Sequence, residues 1–188
     1  ALHLSPRRQR QMCIRDRIYV EQFGTLKPER FAEMLAEELE VRNEAIPRGP
    51  IPTKEAAAIS TARRFYKIRE ANNVGAMLWE SEDTTDWTVV YEDEKQFQTS
   101  PLNRVIYVKP IEQLEEALHV LEPIRESVST VGIAASEARM RELAVPLAQW
   151  GVPRVCPLGQ MQRPPLAWRH DGRPPLGELI RWSDLETA

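Results

Sequence analysis

The chain has 188 residues, of which 42% are hydrophobic and 28% charged, with a formal net charge of −3. This is the composition of a soluble globular protein, long enough to bury roughly 70% of its extended surface. The longest uncharged, mostly apolar run covers residues 128–135, far short of the ~18 residues of a membrane span, so no membrane span is expected. Two cysteines, Cys13 and Cys156, exclude a disulfide framework and a four-cysteine metal site and suit a reducing, cytoplasmic compartment. No two of the three histidines lie three or four residues apart, as helical zinc ligands would, so no metal is expected.

Basic charge is concentrated at the start. Residues 1–17 carry Arg7, Arg8, Arg10, Arg15 and Arg17 against a single acid, Asp16. Taken alone, this describes a basic arm for nucleic acid or an anionic membrane surface, or an Arg-rich transit peptide. The unbroken run from Ser5 to Arg17 instead resembles the peptide made when sequencing-adapter DNA is translated in frame with a gene fragment. On this reading residues 1–17, Cys13 included, are a non-native artefact that packs against nothing. No nucleic-acid partner is then expected.

From residue 18 the periodicity is that of an α/β protein. Ile18-Tyr19-Val20 is a short β-prone run. Pro28-Glu29 opens a helix with Phe31, Met34, Leu35 and Leu39 on one face, proline being tolerated where the first turn lacks an acceptor. The Pro-rich stretch 46–52 interrupts it, and Thr53 is the expected N-cap of a second helix through Ala56, Ile59, Phe65 and Ile68, stopping near Asn72-Asn73. Two strands, 76–79 and 87–91, flank an acidic turn and suggest a hairpin. A strand over 104–108 precedes a helical stripe of Ile111, Leu114, Leu118 and Leu121. Residues 130–134 form a strand, Ser136 caps a helix running to Trp150, Gly151 ends it, and 153–156 is a further strand. Strand-helix-strand-helix-strand at these lengths implies parallel strands joined by right-handed crossovers. Residues 153–175 hold six prolines and read as an ordered, irregular arm over a surface.

Recognisable chemical motifs are few. There is no Gly-rich phosphate loop and no nucleophile elbow. Cys156, in an apolar strand with nothing nearby to stabilise a thiolate, reads as a small buried hydrophobe. His119, among Glu115, Glu116 and Glu122, reads as a surface residue, and Glu92-Asp93-Glu94 as a solvated acidic loop. Trp79, Trp87, Trp150 and Trp182 read as core or interface anchors. The segment 157–176 stands apart, because it sets Trp168, His170, Asp171, Arg163, Arg169 and Arg173 among rigid proline turns. It suits either a plain surface arm or a cationic, aromatic-edged wall for an anionic, partly apolar ligand.

Val155-Cys156-Pro157-Leu158-Gly159, Met161-Gln162, Pro164-Pro165-Leu166 and Trp168-Arg169-His170-Asp171-Gly172-Arg173 together resemble the C-terminal signature of acyl-CoA reductases of the LuxC type. The closing run from Leu179 to Glu186 is similar to the end of such proteins. Ser100-Pro101-Leu102-Asn103, with the strand and Glu-Ala helix after it, resembles a landmark of the wider aldehyde dehydrogenase superfamily. It departs from that landmark in Ser100 for glycine and in Phe97 where a ribose-holding glutamate falls.

The resemblance implies an α/β fold, part of an aldehyde dehydrogenase-like catalytic domain with a mostly parallel sheet and crossover helices. Residues 18–156 would form the partial catalytic domain, and 157–188 a Pro-rich C-terminal arm with a terminal helix. It implies an acyl-CoA substrate, NADPH (or NADH) bound mainly by a missing N-terminal part, and a homo-oligomer when intact. A cysteine nucleophile would lie just upstream of residue 18, so no catalytic residue is assigned within the chain. Trp168, Arg169, His170, Asp171, Gly172 and Arg173 become the substrate-binding or interface residues. The implied reaction is attack of a thiolate on the thioester, release of coenzyme A and hydride reduction to the aldehyde. Two other readings stay open: a related reductase using another activated acyl group such as an acyl phosphate, and a non-enzymatic α/β interaction module.

Overall fold

The computed structural model describes residues 16–169 together with Gly172, Arg173, Ser183 and Leu185. These fall into two compact bodies, one ending at Pro123 and one beginning at Ile124.

In the first body, β1 (Arg17–Glu21), α1 (Pro28–Ala45), α2 (Thr53–Ala71), β2 (Ala76–Glu80), β3 (Thr88–Glu92), β4 (Val105–Ile111) and α3 (Leu114–Leu121) succeed one another along the chain. The sheet order is β1-β4-β3-β2, with β1, β4 and β3 parallel and β2 antiparallel to β3. This is the mostly parallel α/β architecture expected, including the hairpin of β2 and β3. Both faces of the sheet are covered, so every residue of β3 is buried. On one face Ala32 and Ala36 of α1 pack against Trp87, Val89, Tyr91 and Val108, with Phe31, Leu35 and Leu39 beside them. On the other, Ile59 and Tyr66 of α2 pack against Ala76, Val90, Val105 and Tyr107.

Several expectations shift. The boundary at residue 18 is too late. Arg17 pairs with Tyr107 as the first residue of β1, and its guanidinium lies 4.3 Å from the Phe97 ring centre while bonding Asp16 at 2.8 Å. Asp16 and Arg17 therefore pack within the fold, and residues 1–15 lie outside the described residues. Thr53 is the first helical residue of α2, not its cap, because Pro52 precedes the helix in an extended conformation. Phe65 and Ile68 face outward, 51% and 65% exposed. The buried stripe is Ile59, Arg63 and Tyr66, whose polar ends find partners beside the sheet. Met34 likewise lies off the core face of α1.

The β3–β4 connection depends on buried polar groups. Parallel neighbours need a crossover, usually a helix. Here residues 93–104 cross without one, on the face that α2 occupies: Gln98 bonds the Tyr66 hydroxyl, and Asn103 Nδ2 donates to Glu55 at 2.8 Å. An irregular crossover leaves the backbone carbonyls that face the sheet without ladder partners. Lys109, fully buried on β4, supplies them: its ammonium donates to the carbonyls of Glu94 (2.7 Å) and Gln96 (2.8 Å) and to the Glu92 carboxylate (2.7 Å). Glu92, 1% exposed, also accepts from Tyr66 at 2.9 Å and from Gln98. The reading of Glu92 as part of a solvated loop is thus corrected. It ends β3 as half of a buried ion pair, and the loop begins at Asp93.

The second body holds β5 (Val131–Ile133), α4 (Glu137–Trp150) and β6 (Val155–Pro157), with the two strands parallel. Ser136 caps α4 by accepting from Arg139 N–H, and Gly151, at φ +108°, closes it in the left-handed conformation, as expected. The crossover pattern holds for β5-α4-β6. It does not extend back to β4, which belongs to the other sheet.

Lys109→Met should lose about 3–5 kcal/mol in urea unfolding, because Glu92 is left charged, buried and unpaired. The double variant Lys109→Met/Glu92→Leu should lose clearly less than the sum of the singles. Additive losses would contradict the pairing.

Candidate substrate-binding arm

The arm leaves the C-terminal end of β6. In parallel sheets, ligands gather at the C-terminal strand ends. Leu158 N–H extends the β5–β6 pairing by donating to Ile133 O at 2.9 Å. Beyond it come successive tight turns: Gln160 N–H to Pro157 O, Arg163 N–H to Gln160 O, and Trp168 N–H to Pro165 O. Met161 packs on β5 so closely that a Cβ on Gly132 would stand 2.7 Å from its sulfur. Arg154, just before β6, donates from Nη1 to Met161 O (2.9 Å) and from Nη2 to Gln160 O (2.8 Å), and its guanidinium lies 5.5 Å from the Trp168 ring centre.

Of the six residues singled out in the arm, Trp168 is half-buried beside Arg154, while Arg169, Gly172 and Arg173 are exposed. Gly172, at φ +77°, donates its N–H to Arg169 O at 3.2 Å, a turn that favours glycine. His170 and Asp171 lie outside the described residues, as do Trp182 and most of the terminal helix expected beyond residue 176. Sequence reasoning missed Arg154, although an arginine directly before a strand and within reach of a Pro-rich, carbonyl-bearing segment was a usable signal. Cys156 is buried in β6, as expected of a small hydrophobe.

Two polar clusters in the first body serve the fold. An open depression of about 610 Å³ is lined by Arg48, Arg63, Glu80, Ser81 and Asp86 among others. Most of its groups are engaged with one another, although Arg48 Nη1 has no hydrogen-bond partner among the described residues. Arg63 donates to Thr88 (2.9 Å), Thr84 O (2.6 Å), Ser81 (3.0 Å) and Trp87 O (2.7 Å), which staples the hairpin turn to α2. Arg48 bonds Asp86. Burial alone would raise the Asp86 carboxyl, but bonds from Asn43 and Arg48 hold it below the usual range.

The second cluster surrounds Lys109. Burial, reinforced by Glu92, pushes the Tyr107 hydroxyl up to about 12. Burial likewise raises Tyr19 to about 12, and Tyr66 and Tyr91 are raised as well. These hydroxyls stay protonated at neutral pH; those of Tyr66 and Tyr91 donate to carboxylates, whereas that of Tyr19 is buried without a hydrogen-bond partner among the described residues. Burial lowers Lys109 despite the Glu92 carboxylate beside it.

The nicotinamide cofactor that the resemblance implies does not fit the described residues. Position 97, where the resemblance to the wider superfamily implies a ribose-holding glutamate, holds a phenyl ring under the Arg17 guanidinium. No β–α turn here carries the clustered glycines that let a backbone approach a pyrophosphate. Among the described residues no group of His, Cys, Asp and Glu forms a metal site, and no helix is long and apolar enough to cross a membrane.

A family model described as acyl-CoA reductase (LuxC) matches residues 9–182 of the chain, a span that takes in both bodies and the arm and begins before Cys13. No curated protein matches it.

All four tyrosines of the chain, 19, 66, 91 and 107, are raised. Tyrosinate absorbance of the folded chain should therefore stay near zero at about pH 10.5, where the urea-unfolded chain is more than half ionised. Because the folded values lie above the unfolded value of about 10, this contribution to stability is complete below that pH and is lost as pH rises from there towards 12. A native titration midpoint near 10 would contradict the burial.

Proposed function

From the premise that the chain belongs to the acyl-CoA reductase (LuxC) family of oxidoreductases, we propose that it is the C-terminal part of an NAD(P)H-dependent enzyme reducing long-chain fatty acyl-CoA to fatty aldehyde. The acyl group is carried as a cysteine thioester, with the nucleophile upstream of residue 18. The cofactor, NADPH or NADH, is held by residues outside this chain, and no part of hydride delivery is assigned here. The intact enzyme is a cytoplasmic homo-oligomer.

One observation carries the role given to this chain. An arm built from proline turns and held by Arg154 sets the indole of Trp168 beside the exposed Arg169 at the C-terminal end of a parallel strand pair. Proline limits the freedom the arm loses on ordering. Arginine suits the phosphates of coenzyme A through two-pronged hydrogen bonds, and indole supplies an apolar face for the acyl or adenine end. The arm thus binds and orients acyl-CoA beside the reacting thioester. Leu166, whose side chain is fully exposed, favours a second reading in which the same arm forms a subunit contact.

The 188-residue chain should bind acyl-CoA saturably in calorimetry while showing no acyl-CoA-dependent NAD(P)H oxidation. Arg169→Ala and Arg173→Ala should each raise Kd about tenfold, about 1.4 kcal/mol, with the elution volume in sizing chromatography unchanged. Unchanged affinity with altered assembly would make the arm an interface. Turnover that is lost in Cys13→Ala would place the nucleophile inside residues 1–17.

A further inference from the structure

Among the described residues, the turns closed by Gln160, Arg163 and Trp168 N–H are local and give the arm shape without attaching that stretch to the body. Over residues 158–161, attachment includes Leu158 N–H on Ile133 O, Met161 seated on Gly132, and the Arg154 side chain. Arg154 sits on firm ground, because its own carbonyl accepts from Val131 N–H at 2.9 Å in the strand pairing. Its planar fork spans two consecutive carbonyls, 160 and 161, and its guanidinium lies against the ring of Trp168 seven residues further along. A guanidinium does all three from one plane; an ammonium can reach carbonyls but, as a compact point charge, has no flat face to lay against the indole.

We propose that Arg154 is a positioning residue for acyl-CoA binding: it latches the arm so that Trp168 and the adjoining Arg169 stand where the ligand meets them. This rests on the reading of the arm as the acyl-CoA wall. Arg154 makes no contact with the ligand itself. Its effect passes through the carbonyls of residues 160 and 161 and the indole, so losing it loosens the wall while leaving the β5–β6 pairing and α4 in place.

The test uses the full chain with dodecanoyl-CoA as the probe, amide hydrogen exchange over residues 158–168, and the thermal midpoint. Arg154→Ala should speed exchange at Gln160, Arg163 and Trp168 at least tenfold and raise Kd about tenfold, with exchange in α4 unchanged. Arg154→Lys should fail to restore either quantity. Trp168→Leu, which leaves the strand-side residue intact, should reproduce part of both changes and guards against an Arg154 variant that does not fold. Arg169→Ala, which touches only the proposed contact, should raise Kd without changing exchange.

If Arg169→Ala weakens binding while Arg154→Ala changes neither exchange nor Kd, the latch is wrong and the wall stands. If Arg154→Ala loosens the arm but Kd is unaffected by it and by Arg169→Ala, the wall reading fails and the positioning claim falls with it. Full rescue by Arg154→Lys would also overturn the proposal, because charge alone would then suffice.

Discussion

A fully buried lysine decides the shape of the first body. Lys109 has three N–H groups and three acceptors within 2.8 Å, one carboxylate and two loop carbonyls. Taking an ammonium out of water costs several kcal/mol, and only such complete satisfaction offsets it. In return, residues 93–104 can cross the sheet as irregular chain where a helix would normally be needed. The loop ends in three successive left-handed residues, Leu102, Asn103 and Arg104, at φ +64°, +54° and +64°. Each costs energy outside glycine, and each is over-determined. Ser100 accepts from Leu102 N–H, Asn103 donates to Glu55, and Arg104 reaches Asn43 and the Ile46 carbonyl.

The second body repeats the device at smaller scale. Again an irregular segment leaves a strand, and again a cation rooted in the strand region collects its carbonyls: Arg154 with residues 160 and 161. The difference is exposure. The cation that holds the crossover, Lys109, is fully buried and serves the core, whereas the arm bonded by Arg154 presents Arg169 and Leu166 to solvent and has surface left for a ligand or a partner. That contrast is why function is assigned to the arm and not to the more heavily charged interior.

Much of this was legible beforehand because the elements obey local rules. Pro28, Ser136 and Gly151 mark helix ends by their own stereochemistry, and β3 and β4 read as near-continuous apolar runs because both faces of their sheet are covered. What failed depends on contacts distant in sequence. Glu92 looks solvated beside Asp93 and Glu94, and only its pairing with Lys109 buries it. Phe65 and Ile68 fit a helical stripe as well as Ile59 and Tyr66 do. Arg63 and Tyr66, with the hairpin carbonyls and Glu92 to bind, settle which stripe faces in. In the arm, composition singled out Trp168 and the arginines around it, yet Arg154, whose guanidinium lies against the Trp168 ring, sits before β6 and carries no motif.

The most direct measurement is a map of backbone amide chemical shifts of the whole chain on titration with coenzyme A and then with dodecanoyl-CoA. The account predicts saturable shifts centred on residues 158–173 for both ligands, the acyl form adding the Trp168 indole N–H, with β1–β4 unmoved. Shifts centred instead on the depression at Arg48 and Asp86, or none anywhere at saturating ligand, would contradict it.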